Sequence, residues 1–180
     1  LHGEGHSFPT RRSSDLSIAI KQVRIGSEAF PLLREVIAAA ERGVEVRILL
    51  AGAWYVEEEN RRFVRQLEER ASRDDLPIEV RVAEPGGAFE KIHAKGMIVD
   101  GERTVVGSLN WNNNSLRANR EVALLIESEG LAAYFGDVFD ADWHGRADRR
   151  ELPAGVALAV LFAGTVAVLA ASRLRFEGRD

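Results

Sequence analysis

Residues 91–110 read KIHAKGMIVDGERTVVGSLN, and they gather the side chains best suited to chemistry. His93 and Lys95 stand two apart, Asp100 follows, and Gly107, Ser108 and Asn110 close the stretch; Asn119 and Glu121 come soon after. Histidine titrates near neutrality, so it can attack as a nucleophile or carry a proton. Lys95 supplies positive charge, Ser108 and Asn110 supply hydrogen-bond donors, and Glu121 can hold the second nitrogen of His93 and fix its tautomer. Such a set suits a phosphodiester, which needs a nucleophile, a proton donor for the leaving oxygen, and cations or donors around the non-bridging oxygens. Asp100, before Gly101 at a strand end, reads more readily as a turn-fixing residue than as a proton carrier.

The flanks of His93 and Lys95 are apolar and β-branched enough to read as a strand, whose period of two places both side chains on one face. Gly101 makes a tight turn, and residues 104–107 form a second short strand that lets Ser108 and Asn110 converge on the same point. Gly107 has no Cβ, so a charged group of a ligand can approach the backbone there. A lone histidine in a strand is usually a surface or core residue, but the joint spacing of all these types favours a site.

The elements that must hold this stretch are legible upstream. Residues 17–25 alternate as a strand. Ser27 caps a helix that admits Pro31 in its first turn, turns Leu32, Leu33, Val36 and Ile37 inward and ends at Gly43. The strand from Val44 to Leu50 completes a βαβ unit and begins a parallel sheet. A charged amphipathic helix over 57–73 faces Phe63, Val64, Leu67 and Ala71 inward, and residues 77–82 form another strand. The Gly-Gly loop at 84–90 reads as a turn before the motif. Beyond the motif, Trp111 packs rather than stacks on substrate, residues 121–127 form a strand, and Ser128 opens a helix with Leu131, Phe135 and Val138 inward.

The 180 residues, 46% hydrophobic, allow one domain with a core plus an appendage. A net charge of −4 gives no support for a broad nucleic-acid surface, though a local basic groove remains compatible with it. The absence of cysteine excludes disulfides and thiolate metal sites without choosing a compartment.

The pattern His-x-Lys-x(4)-Asp-x(6)-Gly-Ser-x-Asn, complete at His93, Lys95, Asp100, Gly107, Ser108 and Asn110, resembles the HKD motif of the phospholipase D superfamily. Asn119 and Glu121 resemble the family's downstream Asn-x-Glu, and the likeness spans residues 17–143. It implies a layered α/β/α sandwich with a mixed sheet and a metal-independent phosphodiesterase needing no cofactor. One motif's histidine forms a phosphohistidine while another motif's histidine serves the leaving group and the incoming water or alcohol. His93 cannot fill both roles in one step and no second His-x-Lys occurs, so the partner motif must come from a homodimer or a missing upstream half.

Two segments fall outside this pattern. Residues 1–15 show no periodicity, and HSFPTRRSSDL within 6–16 reads like a translated sequencing adapter, leaving His2 and His6 poor ligand candidates. Residues 153–172 carry no charge, long enough to cross about 30 Å of hydrocarbon, with 146–152 as linker and 173–180 as a basic tail. Arginines flank this run on both sides, so the positive-inside rule returns no orientation; tail-anchored members of the resembled family imply a catalytic domain outside the cytoplasm. The expected catalytic domain is 16–145, and the expected substrate a phospholipid, by hydrolysis or transphosphatidylation. A nuclease of the same superfamily and an inactive binding scaffold are the alternatives.

Overall fold

The computed structural model describes residues 16–83 and 91–146. The adapter-like arm, the 84–90 loop and the uncharged run at 153–172 lie outside them. Among the described residues no helix is long and apolar enough to cross a membrane.

Strands β1 (Ser17–Gln22), β2 (Glu45–Leu50), β3 (Ile78–Val82), β4 (Gly96–Val99), β5 (Arg103–Gly107) and β6 (Ala123–Glu127) form one sheet in the order β3-β2-β1-β4-β5-β6. β1, β2 and β3 pair in parallel, whereas β4, β5 and β6 are antiparallel additions, so the sheet is mixed. The parallel half follows from two βαβ crossovers through helices α1 (Pro31–Glu41) and α2 (Glu57–Arg73). The antiparallel half follows from a two-residue hairpin: Asp100 and Gly101 both have positive φ, 57° and 65°, and the Glu102 amide bonds to the Val99 carbonyl at 3.1 Å. A type I′ turn demands that conformation, and Asp-Gly supplies it at little cost.

Alternation along the strands sorts the sheet into two faces. Ile20, Val46, Ile48, Leu50, Ile78 and Val80 pack under Leu33, Val36 and Ile37 of α1 and Phe63 and Leu67 of α2. The opposite face is covered by α4 (Glu129–Trp143), after the short α3 (Asn113–Arg117), which gives the three layers.

Several local expectations shift. The N-cap of α1 is Phe30, with Pro31 at the first helical position, whereas Ser27 accepts from the Ala29 amide at 2.9 Å in the preceding turn. Leu32 is exposed, not inward. In α4, Ser128 does cap, accepting from the Leu131 amide at 3.3 Å; Leu131, Phe135 and Val138 are half-buried, the last two beside Phe139 over β4 and β5, and the most buried residues are Ala132, Phe139, Ala141 and Trp143. On the sheet beneath, Lys21, Arg47 and Arg81 sit on the face that α4 covers. Phe139 and Trp143 offer them ring surfaces, Arg81 lying 4.3 Å from the Trp143 centroid, while Asp142 bonds Lys21 and Asp140 bonds Arg47 at 2.7 Å. Strand cations that alternation assigns to solvent thus meet the C-terminal turns of α4.

Candidate active site

His93 and Lys95 do not lie within a strand. β4 begins at Gly96, and residues 91–95 approach it as irregular chain. The two side chains still meet, with the Lys95 ammonium against the His93 ring, and the Gly107 amide bonds the Lys95 carbonyl at 3.2 Å, one step past the ladder. Lys95 Nζ donates to the His93 carbonyl at 2.7 Å and lies 3.1 Å from Nδ1 and 3.3 Å from Nε2 of the ring. Near-equal distances to both nitrogens put the ammonium over the flank of the imidazole and not along one lone pair.

The two side chains differ in burial. Lys95 is buried and His93 exposed, so a sunken cation backs an open ring. Burial holds the Lys95 ammonium below the usual lysine range, and the Glu121 carboxylate partly offsets this.

Across the β5–β6 junction, Ser108 Oγ donates to the Glu121 carboxylate and accepts the Val122 amide at 3.1 Å, while the Ser108 amide bonds the Val122 carbonyl at 2.9 Å. Asn119 Nδ2 donates to the other Glu121 oxygen at 3.0 Å, and Asn114 Nδ2 donates to Asn119 Oδ1 at 3.3 Å. The Ser108 bond first, then Asn119, holds the Glu121 carboxyl below the usual carboxylate range, with Ser115 and the Lys95 charge adding to them. Glu121 therefore does not hold His93, as the residue types alone suggested. Its oxygens are taken by Ser108 and Asn119, so it is tied to the motif through the Ser108 hydrogen bond and the charge of Lys95.

Gly107 also has a different reason from the expected one. A Cβ there would fall on the Val122 carbonyl oxygen and 2.8 Å from Ala123 Cα, so it is β6, and not a ligand, that needs the space. Asn110 is half-buried just before Trp111, which bridges to Ile25, and its buried Oδ1 has no hydrogen-bond partner among the described residues. Trp111 is buried and stacks on Phe30 at 6.0 Å between centroids, a packing role. Asp100 stands apart: it occupies the hairpin turn at the opposite end of β4 from His93, where its Oδ1 accepts the Ser17 amide at 3.0 Å.

Two features escaped the sequence reading. Asn60 of α2 is fully buried and donates to the carbonyls of Val23 at 2.8 Å and Ala51 at 2.7 Å, tying helix and strand ends together. Its signal was a polar residue in register with Phe63, Leu67 and Ala71. Trp54 and Tyr55, adjacent aromatics after β2, are both exposed.

Solved structures share the fold. NucT from Helicobacter pylori superposes with a TM-score of 0.59 at 18% identity, covering 72% of this chain and 79% of that one. Nuc from Salmonella typhimurium, described as a phospholipase D family member, gives 0.51 at 22% identity over 75% and 82%. Cardiolipin synthase A of Yersinia pseudotuberculosis and of Yersinia pestis are each 30% identical over 109 residues, 61% of this chain. The match spans about a fifth of those relatives, 21% of their length. The family described as cardiolipin synthase, PLD-like domain, matches residues 13–143, most of the chain, and the protein belongs to that phospholipase D-like family.

Proposed function

We propose that the chain is a motif-bearing half of a phospholipase D-type phosphodiesterase that acts on phospholipids through a phosphohistidine. The observation that carries this is the exposed His93 ring backed by the buried Lys95 ammonium, with the Ser108–Glu121–Asn119 set across from it. A His93 ring nitrogen attacks phosphorus, and the bond to the headgroup oxygen breaks. A histidine of a second motif, from another copy or a further part of a longer chain, protonates that oxygen. Water or an alcohol then attacks phosphorus, giving up its proton to the second histidine, and the P–N bond to His93 breaks. Lys95 lies where charge gathers on the non-bridging oxygens, and Asn110 adds an amide donor. Ser108 and Asn119 hold Glu121 ionised beside Lys95.

The lipid class is favoured by the uncharged run at 153–172, about one bilayer long, and by the net charge of −4, which does not suit an extended polyanion. A nuclease of the same family is the second reading, favoured by likeness in fold to NucT and Nuc. The inactive scaffold is disfavoured by the intact His93, Lys95 and Asn110. An assay on mixed phospholipids and on single-stranded DNA, each with a chelator, separates these readings. Headgroup release that persists with chelator is expected; cleavage of DNA alone overturns the lipid reading, and activity abolished by the chelator counts against the mechanism.

A further inference from the structure

The loop at 51–56 joins β2 to α2 at the same end of the sheet as the motif. The Ala51 amide bonds the Gln22 carbonyl at 3.1 Å, and in the β1–β4 register Lys21 faces Gly96, so Lys95 arrives on the other side of that strand end. Ala53 and Val56 belong to the buried cluster that holds Ile92, the residue before His93. Asn60 clamps the base of the loop through Ala51. On this fixed base Trp54 is 89% exposed and Tyr55 46%, with their rings edge to face at 5.6 Å. The remaining tryptophans, Trp111 and Trp143, are only 4% and 7% exposed.

A rigid loop that presents an indole to water beside a candidate site has a partner to fit. Stacking on nucleobases calls for a track of cations free to meet phosphates beside the rings, whereas Glu57, Glu58 and Glu59 follow at once and pair with Arg61, Arg62 and Arg24. Tryptophan and tyrosine favour the boundary between lipid headgroups and acyl chains, where the ring is buried and its polar edge stays wet. The chain itself points the same way. Residues 153–172 are an uncharged run about one bilayer long.

We infer that Trp54 and Tyr55 form an interfacial anchor that seats the mouth of the His93 site on a lipid surface. This rests on the phospholipid reading above and adds the element that meets the bilayer. The experiment uses the full chain in phosphatidylcholine vesicles and reads fluorescence, not turnover, so a failed assay of catalysis leaves it intact. Because residues 153–172 contain no tryptophan and Trp111 and Trp143 are buried, the difference between the parent and Trp54→Phe isolates the Trp54 signal. Phosphatidylcholine brominated near the headgroup end of its chains should quench that signal at least twofold, with aqueous iodide having little effect. The reverse pattern, quenching by iodide and not by brominated lipid, overturns the anchor. Quenching by an oligothymidylate added to the same vesicles would also overturn it and make the pair a base-stacking platform.

Discussion

Lys95 carries most of the electrostatics of the site, and its burial makes a separable prediction. The folded state disfavours its charged form, so the stability cost is fully present below the depressed folded pKa. That cost vanishes as pH rises past the ordinary lysine value of about 10.4. Replacing Lys95 with methionine removes the charge at similar volume, and the freed carbonyl belongs to His93, which water reaches. The Lys95→Met protein is therefore expected to melt no lower than the parent near neutrality, with its advantage shrinking toward alkaline pH, while turnover falls by about 10²–10³-fold. Thermal melts across pH, paired with the lipid assay, check both halves; a variant less stable at neutral pH would show that the bonds Lys95 makes outweigh the cost of burying its charge. The identities of these residues were legible because type and spacing are local properties of the chain. Their partners were not: Glu121 could be read as an orienter of His93 from its chemistry, but Ser108 and Asn119 reach it only once β5 and β6 pair.

At the scale of elements, two glycines separate local strain from close packing. Gly101 needs a positive φ but has open space where a Cβ would stand, whereas Gly107 would drive a Cβ into the backbone of β6. Gly101→Ala should cost about 1–2 kcal/mol and keep full turnover, because the hairpin turn lies at the far end of β4 from His93. Gly107→Ala should cost about 1–3 kcal/mol and also depress turnover, since relief of the clash moves Ser108 and Val122, whose mutual bonds place Glu121. Denaturant melts and the lipid assay decide; equal turnover in the two variants would contradict the claim that β5–β6 spacing sets the site. Element types and α2 were readable from periodicity, which reports which face a segment buries. Strand limits were not, because a ladder ends where its neighbours end. The alternation of β1 runs on to Ile25, yet its pairing stops at Gln22, and His93 and Lys95 precede β4, to which only the flank from Gly96 to Val99 belongs.

At the scale of the whole molecule, the crossovers and the parallel start of the sheet followed from the order of strand and helix patterns and the mixed sheet from the family resemblance, but the ion pairs of Lys21 and Arg47 with Asp142 and Asp140 of α4 join positions too distant in sequence to be read. One described domain presents one His-x-Lys, and its sheet ends in the edge strand β6, which exposes Leu124 and Leu125, with Val122 exposed just before it, next to Glu121. Under the proposed two-histidine mechanism a second motif supplies the other histidine, so turnover is expected from an associated species and not from an isolated chain. The central claim is that His93 attacks phosphorus. The most direct measurement mixes the associated protein with a short-chain phospholipid, quenches in alkaline denaturant to preserve a P–N bond, and determines the mass of the His93 peptide. A phosphatidyl adduct on that peptide, absent from the His93→Ala protein, is the predicted result; turnover with no phosphorus on the chain, or an adduct on another residue, would contradict it.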